Sequence, residues 1–172
     1  MKSSFTLRVL CALLFSLTLN GFGQEQDPDN LYIKYSHAYK ALNADSLADC
    51  YVEGAVLLSL YDGSDPISIK GYEKIKAYFD SFFQQFRDNG HQLDLSFKIT
   101  DRQKIGETVY DNGYYKLSIL SEGNPVHIGY GKLSALIVMD DVNWKFSIDA
   151  NTNTDEAEFA KVDAVSIPQS NR

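Results

Sequence analysis

Apolar residues keep a helical period in the first half of the chain and a period of two in the second. Leu31, Tyr35, Ala38, Tyr39 and Leu42 recur at the spacing that places them on one helix face. Asp27, Pro28 and Asp29 stand just ahead, where Pro and acidic side chains suit a helix start. Asn43-Ala44-Asp45-Ser46 breaks the stripe. Asp45 or Ser46 can cap a second, short helix with Leu47, Cys50 and Tyr51 on its apolar side. Gly54 is expected to end that helix, and Ala55–Leu60 to form a strand. Beyond the Gly63–Pro66 loop, Ile75, Tyr78, Phe79, Phe82, Phe83 and Phe86 fall at i, i+3, i+4, i+7, i+8 and i+11. This stripe predicts an amphipathic helix over 71–87, with Phe82 and Phe79 in its middle.

From Gln92 onward Leu93, Leu95, Phe97 and Ile99 alternate with Asp94, Ser96, Lys98 and Thr100, the pattern of a half-buried strand. Asp101–Gly106 contains a turn. Glu107–Leu120 reads as a long strand kinked at Asp111-Asn112-Gly113. Glu122–Pro125 turns the chain into a strand over Val126–Met139. Asp140–Asn143 then makes a hairpin to a last strand, Trp144–Asn151. Consecutive hairpins imply an antiparallel meander, and helices followed by strands imply an α+β domain. Asp155–Val162 suits a short helix within a polar C-terminal tail, 152–172.

The string ALNADSLADCYVEGAVLLSLYDG, followed by IKGYEKIKAYFDSFF, resembles the nuclear transport factor 2-like superfamily, within it the polyketide-cyclase (SnoaL)-like and DUF4440-type domains. The closing Trp144–Asp149 strand fits the same pattern, and the resemblance spans roughly 30–151. It implies a cone-shaped, cystatin-like fold, with N-terminal helices packed on a curved antiparallel sheet, and a domain over 24–151. It also implies pairing of two copies through the outer face of the sheet. The strands near 107–120 and 126–139 carry apolar and tyrosine side chains on both faces, Tyr110, Tyr114, Leu117, Tyr130, Leu133 and Leu136, more than one inner face needs. Enzymes of this superfamily work by acid–base chemistry in an apolar pocket. Ketosteroid isomerase, one of them, carries its base Asp at the position of Ser59 here and its oxyanion Tyr at the position of Ala38. Both departures tell against that chemistry in that register.

The N-terminus changes the picture of where the protein works. Lys2 and Arg8 lead into the apolar run Val9–Leu19, and Gly21-Phe22-Gly23 supplies small residues at a cleavage position. Residues 1–23 are therefore expected to be a secretory signal peptide, the mature chain being exported to the periplasm or the extracellular space. Eleven apolar residues fall short of the roughly 20 needed to span a bilayer. No membrane insertion is expected after cleavage. Loss of Lys2 and Arg8 leaves 14 basic against 23 acidic residues, an unfavourable balance for nucleic acid or anionic lipid. Only Cys50 then remains, so no disulfide can form within the mature chain. A small buried residue is the plain reading of it.

Candidate chemistry is sparse. His37, His91 and His127 stand in no metal-ligand spacing, and no GxSxG or phosphate-binding loop is present. No metal and no cofactor is expected. Asp149 is either a solvated strand-edge charge or, as the family's terminal acidic residue implies, a carboxylate on the pocket floor. Alternation along Trp144–Asp149 places Asp149 on the face opposite Trp144, Phe146 and Ile148. The eleven Tyr and ten Phe suit core packing and also an aromatic-lined cavity for a flat ligand. The residues expected to line it are Tyr35, Tyr39, Tyr61, Phe79, Tyr115, Trp144 and Asp149. The expected function is a secreted small-molecule-binding or accessory domain for an apolar or amphipathic molecule. The alternative is a cofactor-free isomerase, dehydratase or cyclase using acid–base catalysis in the same pocket.

Overall fold

The structure, a computed structural model, describes residues 27–169. The expected signal peptide lies outside the described residues. The first helix, α1 (Asp29–Lys40), buries Leu31, Tyr32, Tyr35 and Ala38. Leu42, at φ 50°, ends it. The short α2 (Ala44–Ala48) is capped by Asn43, whose side chain accepts from the Ser46 N–H at 2.9 Å. The cap thus precedes both candidates, because an Asx side chain reaches the N–H three residues on.

The chain then extends sooner than its apolar spacing implies. Tyr51 opens β1 (Tyr51–Ser59) rather than facing the core from a helix, and Gly54 sits inside that strand. A short edge strand, β2 (Ile67–Lys70), precedes α3 (Tyr72–Asp88), whose buried positions are Ile75, Phe79 and Phe83. The expected stripe is present, but rotated: Phe82 is only half-buried at its margin.

Four long strands complete the sheet: β3 (Gln92–Ile105), β4 (Thr108–Ser121), β5 (Asn124–Asp140) and β6 (Asn143–Thr154). The turn expected within Asp101–Gly106 falls at its very end: β3 runs on through Ile105, and Gly106-Glu107 makes the reversal. The sheet order is β2-β1-β6-β5-β4-β3. All pairings are antiparallel except β1 with β6, which is parallel. That crossover brings the first strand against the last. Helices α1 and α3 close over the concave face, giving the expected curved α+β cone.

Two irregularities shape the sheet. At the predicted kink, the extra residue is Thr100 on β3, opposite Asn112-Gly113. Gly113 is needed there, because a Cβ would run into the Lys98 carbonyl oxygen. The second is Ser147 on β6, which lies between the paired residues Ile137↔Phe146 and Leu136↔Ile148.

Beyond β6, Asp155 caps α4 (Glu156–Lys161) through its side chain. This helix is held on the outer face of the sheet. Phe159 stacks on Tyr130 with ring centroids 5.1 Å apart. Tyr114 and Tyr130 donate to Glu158 and Glu156, and Lys132 pairs with Glu158 at 2.7 Å. Further on, Ser166 bridges Ile99 and its hydroxyl donates to Asp29. The polar segment expected as a tail is thus tied down through residue 166. A buried ion pair anchors the same end of the cone: Arg102 donates two bonds of 2.8 Å to Asp111, which also accepts from Tyr32 at 2.9 Å.

Candidate functional site

Between the helices and the concave face lies a cavity of about 150 Å³. Its lining follows from strand alternation. Leu95 and Phe97 come from β3, Tyr115 and Leu117 from β4, and Leu133 from β5. Tyr32, Tyr35 and Tyr39 come from α1, and Tyr78, Phe79 and Phe82 from α3. Six tyrosines and four phenylalanines contribute. The interior is therefore apolar in area, with hydroxyl groups at chosen points.

The polar part of the site stands on β6 and β1. Asp149 Oδ2 accepts from the Tyr51 hydroxyl at 2.6 Å, and the Tyr35 hydroxyl lies 3.0 Å from that of Tyr51. Since Tyr51 gives its proton to Asp149, Tyr35 donates to Tyr51, and the chain of protons runs toward the carboxylate. Burial raises the Asp149 carboxyl above its ordinary value, against the opposing pull of the Tyr51 and Tyr35 hydroxyls. Tyr35, Tyr39 and Tyr51 are likewise raised, first by burial, so all three stay neutral donors at physiological pH. Ser59 and Asn151 line the cavity beside Asp149, and Asn151 Oδ1 is buried with no hydrogen-bond partner.

The Ser147 bulge explains why a carboxylate is here at all. Strict alternation would set Asp149 opposite Phe146. With one extra residue taken up at Ser147, Phe146 and Asp149 both face inward, while Ile148 points out and is 38% exposed. The expectation that one of these two must face away is corrected by that residue.

Of the residues expected to line the pocket, Tyr35, Tyr39, Tyr61, Phe79, Tyr115 and Asp149 do so. Tyr61 is 39% exposed at the mouth, its hydroxyl 3.3 Å from that of Tyr115. Gly131 makes room for Tyr115: any Cβ there would overlap the tyrosine ring. Trp144 does not reach the cavity. It is buried elsewhere in the core, with Lys104 Nζ 5.1 Å over its ring. Tyr51, which donates to Asp149, and Tyr32 and Asn151, which line the cavity, are polar residues that the sequence pattern does not single out. The helical spacing of Leu47 and Tyr51 hides the tyrosine. Asn151 has the character of an ordinary strand-end amide.

The other candidates fall away from the site. His37 and His127 are exposed and line no part of the cavity. Cys50 is fully buried, and burial pushes its thiol up to about 12, which leaves it inert as a nucleophile. Among the described residues no cluster of three or more His, Cys, Asp or Glu side chains is placed to hold a metal. No described helix is long and apolar enough to cross a membrane.

No family model matches the chain, and no curated protein matches it. Solved structures do match. The protein Aln2 from a Streptomyces species aligns with TM-score 0.63 at 17% identity, covering 77% of this chain and 91% of that one. A ketosteroid isomerase-like protein from Erwinia carotovora atroseptica aligns with TM-score 0.57 at 12% identity, covering 74% and 93%. An NTF2-like protein with a cystatin-like fold from Novosphingobium aromaticivorans aligns with TM-score 0.57 at 15% identity, covering 91% and 93%. At these identities the likeness establishes the fold alone: helices packed on a curved, cystatin-like antiparallel sheet.

Proposed function

We propose that the protein is an exported small-molecule-binding protein whose ligand sits inside the cone, its ring among the aromatic side chains and one polar atom at Asp149. The observation that carries this reading is the cavity itself, apolar over most of its wall and polar at one place, as small-molecule sites are. Its volume of about 150 Å³ matches a cavity that accepts a single benzene-sized ring. Protein NMR with a set of single-ring fragments tests it. Shift changes should gather at Tyr39, Phe79, Tyr115 and Leu133. Changes scattered over the surface, or none at millimolar fragment, would refute the reading.

A second reading is favoured by one observation, the desolvated Asp149 with its Tyr35–Tyr51 proton chain. In it, Asp149 takes a proton from a carbon acid, with no cofactor, and the hydroxyls of Tyr35 and Tyr51 hold the carboxylate in place. Deuterium exchange at the α-carbon of cyclohexanone, catalysed by the protein and lost in Asp149→Asn, supports turnover. Exchange at the uncatalysed rate leaves binding alone.

Pairing of two copies is part of the proposal, on a smaller surface than the sequence implies. Tyr114 and Tyr130 are covered by α4, and Leu117 and Leu133 face the cavity. What is left on the outer face is the row Tyr110, Leu136, Ile148 and Val56, adjacent residues across β4, β5, β6 and β1. Tyr110 is 49% exposed and Ile148 38%.

A further inference from the structure

Asp149 is an acid without a base. Its hydrogen-bond partner among the described residues, Tyr51, is neutral, and no described Lys, Arg or His lines the cavity. A buried carboxylate normally meets a cation or a full set of donors, because an uncompensated charge in an apolar site is costly. The contrast within this molecule is plain: the fully buried carboxylate, Asp111, holds a two-pronged Arg102. At the cavity the counter-charge has no source in the lining.

Three further features say what would supply it. First, the tyrosine protons run from Tyr35 to Tyr51 to Asp149, so this cluster offers the cavity acceptor lone pairs rather than protons. Second, Asn151 Oδ1 is a buried acceptor with nothing to accept. It stands on the same face of β6 as Asp149, two residues and so about 7 Å along the strand. A group with several N–H donors lying between them can serve both. Third, the walls are the faces and edges of Tyr and Phe rings, whose quadrupoles attract a cation.

We propose that the ligand of this cavity is a small organic ammonium ion, a primary or secondary amine carrying one ring or a short apolar chain. Its N–H groups donate to Asp149 and Asn151, and its apolar part lies against Tyr39, Phe79 and Tyr115. This rests on the reading of the cone as a small-molecule site and names the ligand class of that site. It also gives the acidic composition a consequence, since a net-negative protein draws cations toward its mouth.

Isothermal titration of the purified protein with 2-phenylethylamine and with 2-phenylethanol, its neutral counterpart, tests the proposal near neutral pH. The amine should bind at least about tenfold more tightly than the alcohol, as expected for a desolvated charge pair. Asp149→Asn should abolish that preference, the amine losing at least about tenfold more affinity than the alcohol. Asn151→Leu should weaken the amine by about tenfold to a hundredfold, the worth of one hydrogen bond to a charged group. Equal binding of amine and alcohol, or a preference that survives Asp149→Asn, overturns the ammonium assignment while the cavity reading stands. Binding of neither compound to the folded protein overturns both. The comparison of the two ligands on the unmutated chain decides the matter even where a variant folds poorly.

Discussion

Phe146 and Asp149 face the same cavity from one strand, although three residues separate them, because Ser147 is accommodated as an extra residue between them. The bulge converts a strand that would bury either its aromatic or its acidic residue into one that buries both. It places a carboxylate among rings, where its ionisation is disfavoured.

That placement has a cost in stability with a definite sign. The folded chain holds the Asp149 proton to a higher pH than the unfolded chain does. Stability therefore falls as pH rises from the unfolded value, about 3.9, through the raised folded midpoint. Asp149→Asn removes this titration and keeps an acceptor for Tyr51. In denaturant melts the variant should gain on the natural chain between about pH 3 and pH 7. A stability difference that is the same at both pH values contradicts the desolvation.

The aromatic stripe of α3 should divide into structure and site. Phe83 is wholly buried, and Phe83→Ala should cost about 3–5 kcal/mol. Phe82 is half-buried at the cavity wall, and Phe82→Ala should cost roughly 1–2 kcal/mol while weakening fragment binding. Equal losses for both variants would mean the stripe is oriented otherwise.

Gly131 should act on the site and little on the core. Gly131→Ala places a methyl where the Tyr115 ring lies, so the ring must move. Fragment binding should drop by about tenfold or more, as a displaced wall residue does to a small ligand, and Gly131→Ala with Tyr115→Leu should recover part of it. Unchanged binding in Gly131→Ala would show that Tyr115 is no part of the wall.

Removing Arg102 should be severe without touching the cavity. Arg102→Ala leaves Asp111, 1% exposed, with Tyr32 as its one side-chain partner among the described residues, a loss of about 3–5 kcal/mol. It also frees Asp29, which pairs with Arg102 at 2.8 Å. A loss under about 1 kcal/mol would mark the pair as a surface bridge.

Pairing through the outer face is expected to depend on Ile148, which sits mid-row. Sedimentation equilibrium at tens of micromolar should give a dimer for the natural chain and a monomer for Ile148→Lys. A natural chain that is monomeric there, or a variant that still pairs, rules this surface out.

Much of the cone was legible in the sequence because its elements are long and periodic. The spacing of Ile75, Phe79 and Phe83 specifies α3, and the alternation from Leu93 to Ile99 specifies β3. Both signals are local. The parallel pairing of Tyr51 with Phe146 is not, since nothing near either residue encodes a partner about a hundred positions away. Tyr51 itself sits where a few residues fit a helix or a strand equally well, so the hydrogen-bond donor to Asp149 stays hidden. Ser147 is an unremarkable polar residue in a run that alternates cleanly on paper. Only its lack of a partner in the ladder reveals the bulge, and with it which way Asp149 points. Asn151 carries no signal of its own; its buried, unpartnered oxygen is a property of the assembled cone.

The account stands most directly on the state of one carboxyl group. An NMR titration of Asp149, by carbon detection in the purified protein, measures it. The midpoint should lie above the unperturbed value of about 3.9, and should move further up in Tyr51→Phe, which removes the hydroxyl that favours the charged form. A midpoint at or below the unperturbed value, unmoved by Tyr51→Phe, would place Asp149 in water and contradict the site.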